Sequence, residues 1–310
     1  MKRIELKGEG RRSACAKSPY RTDGALTRLV PLPVAKPWGR AAPCRWDCGL
    51  DFSARVGEVH HLHAEHVHAV AGSEALLLKT LYAETVLSVQ VHPDAVTAAR
   101  LGLGGPGQAC AKDEAWFVLE ADAGARVGLG LRETLSSDEL RAAVLDGSIV
   151  EALIWHEVRA GDALMVPAGT VHAIGAGVTL FEVQQNLDVT FRLHDHGRGR
   201  RLDVEHGLMV ATRDRWTAPR RAMSAGPGRE TLVSGGGFVM ERVQGRGGLS
   251  PEAGRPVWVA AISGDAMLED MFLPQGFVAL VSGAVQVDGD AGLLLAQAGP
   301  LPQPGLWTQA

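Results

Sequence analysis

The run Gly161-Asp-Ala-Leu-Met-Val-Pro167-Ala-Gly169-Thr-Val-His172 reads as a device for aiming one imidazole. Gly161 turns a corner, Ala163 to Val166 make a strand, and Pro167 and Gly169 bend the chain so that His172 points into a small β-barrel. One imidazole cannot hold a divalent metal, which needs roughly three or four protein ligands. A second source of donors lies in the run TVLSVQVH, where Leu87, Val89 and Val91 alternate with Ser88, Gln90 and His92, so that the three polar side chains share one strand face. On alternation alone, that polar face would normally be the solvated one. Glu114, opening the next strand, would complete a Gln90, His92, Glu114 and His172 set with room for water or substrate oxygens. Such a mixed nitrogen and oxygen set suits Zn²⁺, with Mn²⁺, Co²⁺ and Fe²⁺ as other possible occupants.

The densest histidine cluster is His60-His61-Leu62-His63-Ala64-Glu65-His66-Val67-His68. Its spacing fits neither an H-E-x-x-H helix nor a glycine-spaced metal turn, and we expect a solvated loop or strand edge. The cysteines, Cys15, Cys44, Cys48 and Cys110, are too sparse for a disulfide framework and form no C-x-x-C pair, which fits a reducing cytoplasm.

The elements that must position these residues are mostly short strands. With 38 glycines, 16 prolines and 5% aromatics among 310 residues, the chain reads as all-β, its strands joined by tight turns. Apolar residues at 46% can fill a core, and length suggests roughly two domains. A net charge of −4 offers no field for nucleic acid, and no apolar run reaches the roughly 20 residues that span a bilayer. Residues 1–25 form a basic tail without apolar pattern, expected to be disordered. Residues 26–205 form the first domain, with strands from Leu76 onward and one clear helical region at 134–154, where Ser136 or Ser137 can cap and Leu140, Val144, Leu145 and Ile149 recur at helical spacing. A helix carrying Leu202 to Val210 and an Arg-, Pro- and Gly-rich linker fill 206–230. Residues 231–310 keep the strand-and-turn texture but contain no histidine, so a histidine-ligated metal belongs to the first half.

The Gly161 to His172 run matches the second motif of the cupins, G-x5-P-x-G-x2-H. Together with Lys36-Pro-Trp-Gly, Gly57-Glu58, Leu87-Ser-Val-Gln-Val-His-Pro93, Lys112-Asp-Glu-Ala-Trp116 and Gln185-Asn-Leu-Asp-Val-Thr-Phe-Arg192, it makes the chain resemble the short bacterial type I mannose-6-phosphate isomerases over residues 26–205. The resemblance implies a cupin-type jelly roll followed by a degenerate C-terminal β-barrel or sandwich. It implies one zinc ion on Gln90, His92, Glu114 and His172, a pocket arginine at Arg192 with an acidic companion at Asp188, and further pocket residues at Lys79, Ser88 and Lys112. The implied reaction interconverts mannose 6-phosphate and fructose 6-phosphate in the cytoplasm; the small-molecule sugar phosphate is the only partner implied.

The chemistry agrees with that implication. Moving a proton between C1 and C2 of an open-chain sugar passes through an enediol, which asks for ring opening, one proton carrier and stabilisation of an oxyanion. Arg192, Lys79 and Lys112 supply cations, and Asp188 could orient Arg192 or relay a proton; the base could be Lys112, Asp188 or a metal-bound hydroxide. Taken singly, Arg192 with Asp188 reads as a surface ion pair, and Lys79 as an edge-strand lysine that blocks pairing. The chain departs from the family where His-Lys-Pro-Glu becomes Ala111-Lys112-Asp113-Glu114, and Asn-Ser-Asp becomes Asn186-Leu187-Asp188. Two other classes compete with the isomerase: a non-catalytic metal-containing sugar-phosphate-binding cupin, and a cupin oxygenase.

Overall fold

The structure, a computed structural model, describes residues 25–42, 44–52, 54–62, 76–104, 111–217, 224–226 and 228–310. The tail expected at 1–25 lies outside these residues except for Ala25, as do Cys15, Cys110 and the histidines at 63, 66 and 68.

Four antiparallel sheets stack as four layers. The first half supplies a six-stranded sheet, in the order Val30–Arg40, Val56–Leu62, Leu76–Ala83, Val178–Gln185, Glu114–Ala121 and Ala163–Val166. Facing it is a five-stranded sheet ordered Phe191–His194, Val89–Val91, His172–Ile174, Arg126–Leu131 and Leu153–Glu157. Leu81, Trp116 and Leu180 from the first meet Val127, Leu129 and Ile174 from the second, which makes a sandwich. The outer face of the five-stranded sheet is covered by the helices Ser137–Asp146, Ile149–Ala152 and Val204–Val210, through Leu140, Val144, Ile149 and Val210.

The single helical region expected at 134–154 is two helices and a strand. Ser136 caps the first with a reciprocal capping box to Glu139, and Gly147 ends it in the left-handed conformation at φ 88°; the second stops where Leu153 begins a strand.

The second half repeats this architecture strand for strand. Its seven-stranded sheet runs, from one edge, Ser224–Gly226, Arg229–Gly235, Phe238–Gln244, Gly292–Ala298, Val257–Ser263 and Val278–Val281, the same permutation of chain order as the six-stranded sheet. The seventh strand, Leu26–Arg28, comes from the start of the chain and pairs antiparallel with Val278–Val281. Sequence reading put Leu26 in the first domain and the start of the second at 231; the sheet recruits residues on the far side of both boundaries, because its edge offers backbone partners that an isolated three-residue strand lacks. A second five-stranded sheet, Trp307–Gln309, Gly247–Leu249, Val285–Asp288, Ala266–Leu268 and Met271–Leu273, again keeps the order of its counterpart.

The two sandwiches pack back to back. Leu76, Leu78, Phe117, Phe181 and Val183 of the six-stranded sheet meet Phe238, Met240, Trp258 and Leu294 of the seven-stranded sheet. That is why Leu76–Ala83 is buried at every position: one face looks into the first sandwich and the other into the layer between the two. No helix among the described residues is long and apolar enough to cross a membrane.

Candidate metal centre

The face carrying Ser88, Gln90 and His92 is turned inward, not to solvent. Gln90 is the cross-strand partner of His172 on one side and of Arg192 on the other. Opposite, the six-stranded sheet sends two rows of inward side chains across its strands. One row is His60, Lys79, Glu182, Trp116 and Leu164, and the next contains Leu77, Gln184, Glu114 and Val166. A polar pocket therefore sits within an otherwise apolar sandwich.

His92, Glu114 and His172 are 2%, 1% and 1% exposed, and their donor atoms lie within 4.8 Å of one another. Glu114 Oε1 is 3.1 Å from His92 Nε2, and Oε2 is 3.6 Å from His172 Nε2. Each imidazole gives its Nδ1 hydrogen to a backbone carbonyl, His92 to Val189 at 2.9 Å and His172 to Thr170 at 2.8 Å. That fixes both tautomers and leaves both Nε2 lone pairs converging on the carboxylate, the outer-shell arrangement of ligating histidines. Burial lowers the pKa of both rings, that of His172 to about 4, so they are neutral at pH 7. Burial alone would raise the Glu114 carboxyl, but with the rings neutral the Lys112 ammonium 3.1 Å from Oε1 opposes it and favours the ionised group. Glu114 Oε2 is buried and accepts no hydrogen bond from the described residues. An orphaned carboxylate oxygen facing two imidazole lone pairs fits a divalent cation.

Gln90 Nε2 stands 3.3 Å from His172 Nε2, while Ser88 donates its hydroxyl to Gln90 Oε1 at 3.2 Å. Gln90 can present oxygen to a metal only by turning its amide over, and Ser88, whose hydroxyl can also accept, satisfies either orientation. Ser88 is thus a neighbour of Gln90, buried at 3% exposure. Lys112 Nζ lies 3.1 Å from Glu114 Oε1 and 3.4 Å from His92 Nε2, also buried.

Lys79 is no edge residue. Its strand lies between two others, and its Nζ is 3.7 Å from both Glu182 Oε1 and Asp188 Oδ1. Asp188 accordingly pairs with Lys79 rather than with Arg192, and it is held down to about 2 by that ammonium. Arg192 instead donates to the Arg201 carbonyl at 2.9 Å. Arg198 and Arg200 flank it around the buried Asp195, and the buried Arg192 Nε and Arg198 Nη2 have no partner among the described residues.

The expectation for the histidine cluster fails at its start. His60 and His61 lie within Val56–Leu62, a strand paired on both sides, so neither is a solvated edge residue. His60 Nε2 is 2.7 Å from Glu58 Oε2, and Lys36 Nζ is 3.1 Å from Glu58 Oε1.

Sequence reasoning gave no role to Glu58, His60, Trp116 or Glu182, which line the same pocket. Glu182 accepts from Trp116 Nε1 at 3.1 Å, and Trp116 sets its ring edge-on to His172. Burial and the nearby Glu114 charge raise the Glu182 carboxyl, and Lys79 only partly offsets them because it is shared with Glu58 and Asp188. The available signal was a Glu and a Gln two apart, set among Leu180, Phe181 and Val183, within Val178–Gln185.

The second sandwich carries none of these groups at the corresponding positions. By strand pairing, the places of Gln90, His92, Glu114 and His172 fall to Gly247, Leu249, Val257 and Val287, and the places of Trp116 and Glu182 to Val259 and Leu295. All but the glycine belong to one apolar core.

No protein-family model matches the chain. The mannose-6-phosphate isomerase of Streptococcus mutans is 34% identical over 75% of this chain and 78% of its own length. The Bacillus subtilis mannose-6-phosphate isomerase ManA is 40% identical over 40% of this chain and 38% of its own. In fold, the crystal structure of mannose 6-phosphate isomerase from Bacillus subtilis superposes with a TM-score of 0.76 at 22% identity, covering 88% of this chain and 99% of that one. A mannose 6-phosphate isomerase bound with zinc and yttrium superposes at 0.65 with 14% identity, covering 90% and 100%.

Proposed function

Since the chain belongs to the mannose-6-phosphate isomerase family, we propose that it interconverts mannose 6-phosphate and fructose 6-phosphate with one zinc ion held by Gln90, His92, Glu114 and His172. The observation that carries this reading is the convergence of two oriented imidazoles on a carboxylate with an orphaned buried oxygen. A bound divalent ion supplies Lewis-acid polarisation of the sugar oxygens at C1 and C2.

This chain's residues supply the rest. Glu182 is the proton carrier of the C1 to C2 transfer: a buried carboxyl raised toward neutrality can take the proton from one carbon and return it to the other. Lys79 and Lys112 face developing negative charge on the enediolate oxygens. Around Lys79, the carboxylates of Glu58, Glu182 and Asp188 already balance the ammonium, which disfavours a dianion there. The phosphate goes instead to Arg192 and Arg198, whose buried Nε and Nη2 groups respectively have no partner among the described residues. Asp188 holds Lys79 in place. We infer the cytoplasm as the compartment, where the sugar phosphate is found.

The test is formation of fructose 6-phosphate from mannose 6-phosphate by the purified chain, before chelation, after it, and with zinc restored. Activity that leaves with the metal and returns with it supports the reading. A folded, zinc-loaded protein that binds the sugar phosphate without turnover would return the non-catalytic alternative.

A further inference from the structure

Asp113 occupies the place where the family motif carries proline, and it sits between two buried pocket residues, Lys112 and Glu114. Its carboxylate Oδ1 accepts from the Ala168 N–H at 2.7 Å. Its backbone N–H donates to Gln185 Oε1 and its carbonyl accepts from the Gln185 N–H, both at 3.1 Å. Ala168 belongs to the Pro167–Thr170 turn, which also sends the Gly169 N–H to the His92 carbonyl at 2.8 Å and holds His172 Nδ1 through Thr170. One side chain thus ties the strand of Glu114 to the turn that aims His172, and its backbone ties the same point to the end of the Glu182 strand.

The second sandwich reaches this point. The turn Gly235-Gly236-Gly237, between two strands of the seven-stranded sheet, lies directly on it. A Cβ at Gly236 would stand 2.9 Å from Asp113 Cγ and Oδ2 and 2.5 Å from Met165 Cε, and one at Gly237 would stand 2.6 Å from Gln185 Nε2. Only a side-chain-free backbone fits so closely against the clamp.

We propose that Asp113 is a positioning residue for the metal centre and that the triglycine turn of the second sandwich braces it, so that the sandwich without ligands of its own sets the geometry of the one that has them. The proposal rests on the reading of Gln90, His92, Glu114 and His172 as ligands. It gives the degenerate repeat a task in the reaction without assigning it any chemistry.

The test uses the full chain and two readouts: zinc affinity by competition with a chromophoric chelator, and hydrogen exchange at the Ala168 amide. Asp113→Ala is expected to lose about 10- to 100-fold in zinc affinity, the usual cost of an outer-shell change, together with the protection at Ala168. Asp113→Asn keeps an accepting oxygen and should keep both. Gly236→Ala should lower zinc affinity, whereas Gly235→Ala, at φ 141° with nothing within 4 Å, strains its own backbone without touching Asp113 and should lower only thermal stability. Wild-type zinc affinity and Ala168 protection in Asp113→Ala would overturn the proposal, as would equal zinc affinity in the two glycine variants. A wild-type chain that takes up no zinc would remove the ligand reading instead, and Ala168 exchange would then decide the clamp by itself.

Discussion

His60 and His61 are consecutive in the chain, yet they face opposite sides of one strand and live in different chemistry. His60 looks into the first sandwich and bonds Glu58 at 2.7 Å, while His61 looks into the layer between the sandwiches, bonding Thr80 at 3.1 Å beside Phe181. His61 Nδ1 is buried without a partner among the described residues.

Burial pushes the His61 imidazole down to about 3, which makes stability depend on pH with a definite sign. The folded state holds it neutral; the unfolded chain binds its proton below about pH 6.5. The His61 contribution to stability is therefore essentially full above pH 6.5 and falls by about 1.4 kcal/mol per unit as pH drops toward 3. Urea unfolding at pH 7.5 and pH 5 should show wild type losing about 2 kcal/mol more than His61→Gln over that interval. Equal losses would mean that the ring is not neutral and sealed in the fold.

These two histidines also mark the limit of what the sequence discloses. The alternation of Ser88, Gln90 and His92 and the turn before His172 identify the donors, because strand period and turn chemistry are local. Whether a polar strand face meets water or another sheet is not local, and so the spacing of His60 and His61 favours a solvated edge that the strand pairing overturns. The pairing of Asp188 with Lys79 rather than Arg192 likewise depends on how the 186–190 loop crosses to the other sheet. Glu182 went unassigned since nothing in a lone carboxylate within an apolar strand says which face it takes. The repetition of one jelly roll by the other was visible only as texture, since it resides in the order of strands and not in residue identities.

His172→Ala and Arg192→Ala should separate holding the metal from using it. Removing a ligand should cost zinc affinity beyond the about 100-fold of an outer-shell change, and activity with it. Arg192 bonds none of the ligands, and its alanine variant should bind zinc like wild type while losing turnover, chiefly through KM for the phosphorylated sugar. Metal analysis beside steady-state kinetics decides both; a His172→Ala protein with full zinc content would contradict the site.

In the second sandwich, Glu241 is fully buried and accepts from Arg229 Nη2 at 2.7 Å, Gln297 Nε2 at 2.7 Å and Thr231 Oγ1 at 3.0 Å. Removing its charge strands the Arg229 guanidinium in an apolar interior. Glu241→Ala should destabilise the chain by about 3–5 kcal/mol. Urea unfolding measures the loss, and zinc affinity of the still-folded fraction should be unchanged, because this network lies in the interior of the second sandwich. A fall in zinc affinity would show that the brace between the sandwiches extends this far.

Glu182→Gln tests the proton carrier directly. The substitution keeps the size of the side chain and an oxygen for the Trp116 N–H to meet, so the pocket wall should stand and zinc should bind with wild-type affinity. It removes the titratable carboxyl, and kcat should fall by about 10²- to 10⁴-fold, the usual contribution of a general acid–base. Exchange of the C2 hydrogen of mannose 6-phosphate with deuterated solvent should fall by the same factor, since that exchange requires the carrier and nothing downstream of it. If kcat falls while solvent exchange persists at the wild-type rate, Glu182 acts on substrate placement or release, and the proton passes through Lys112 or Asp188 instead.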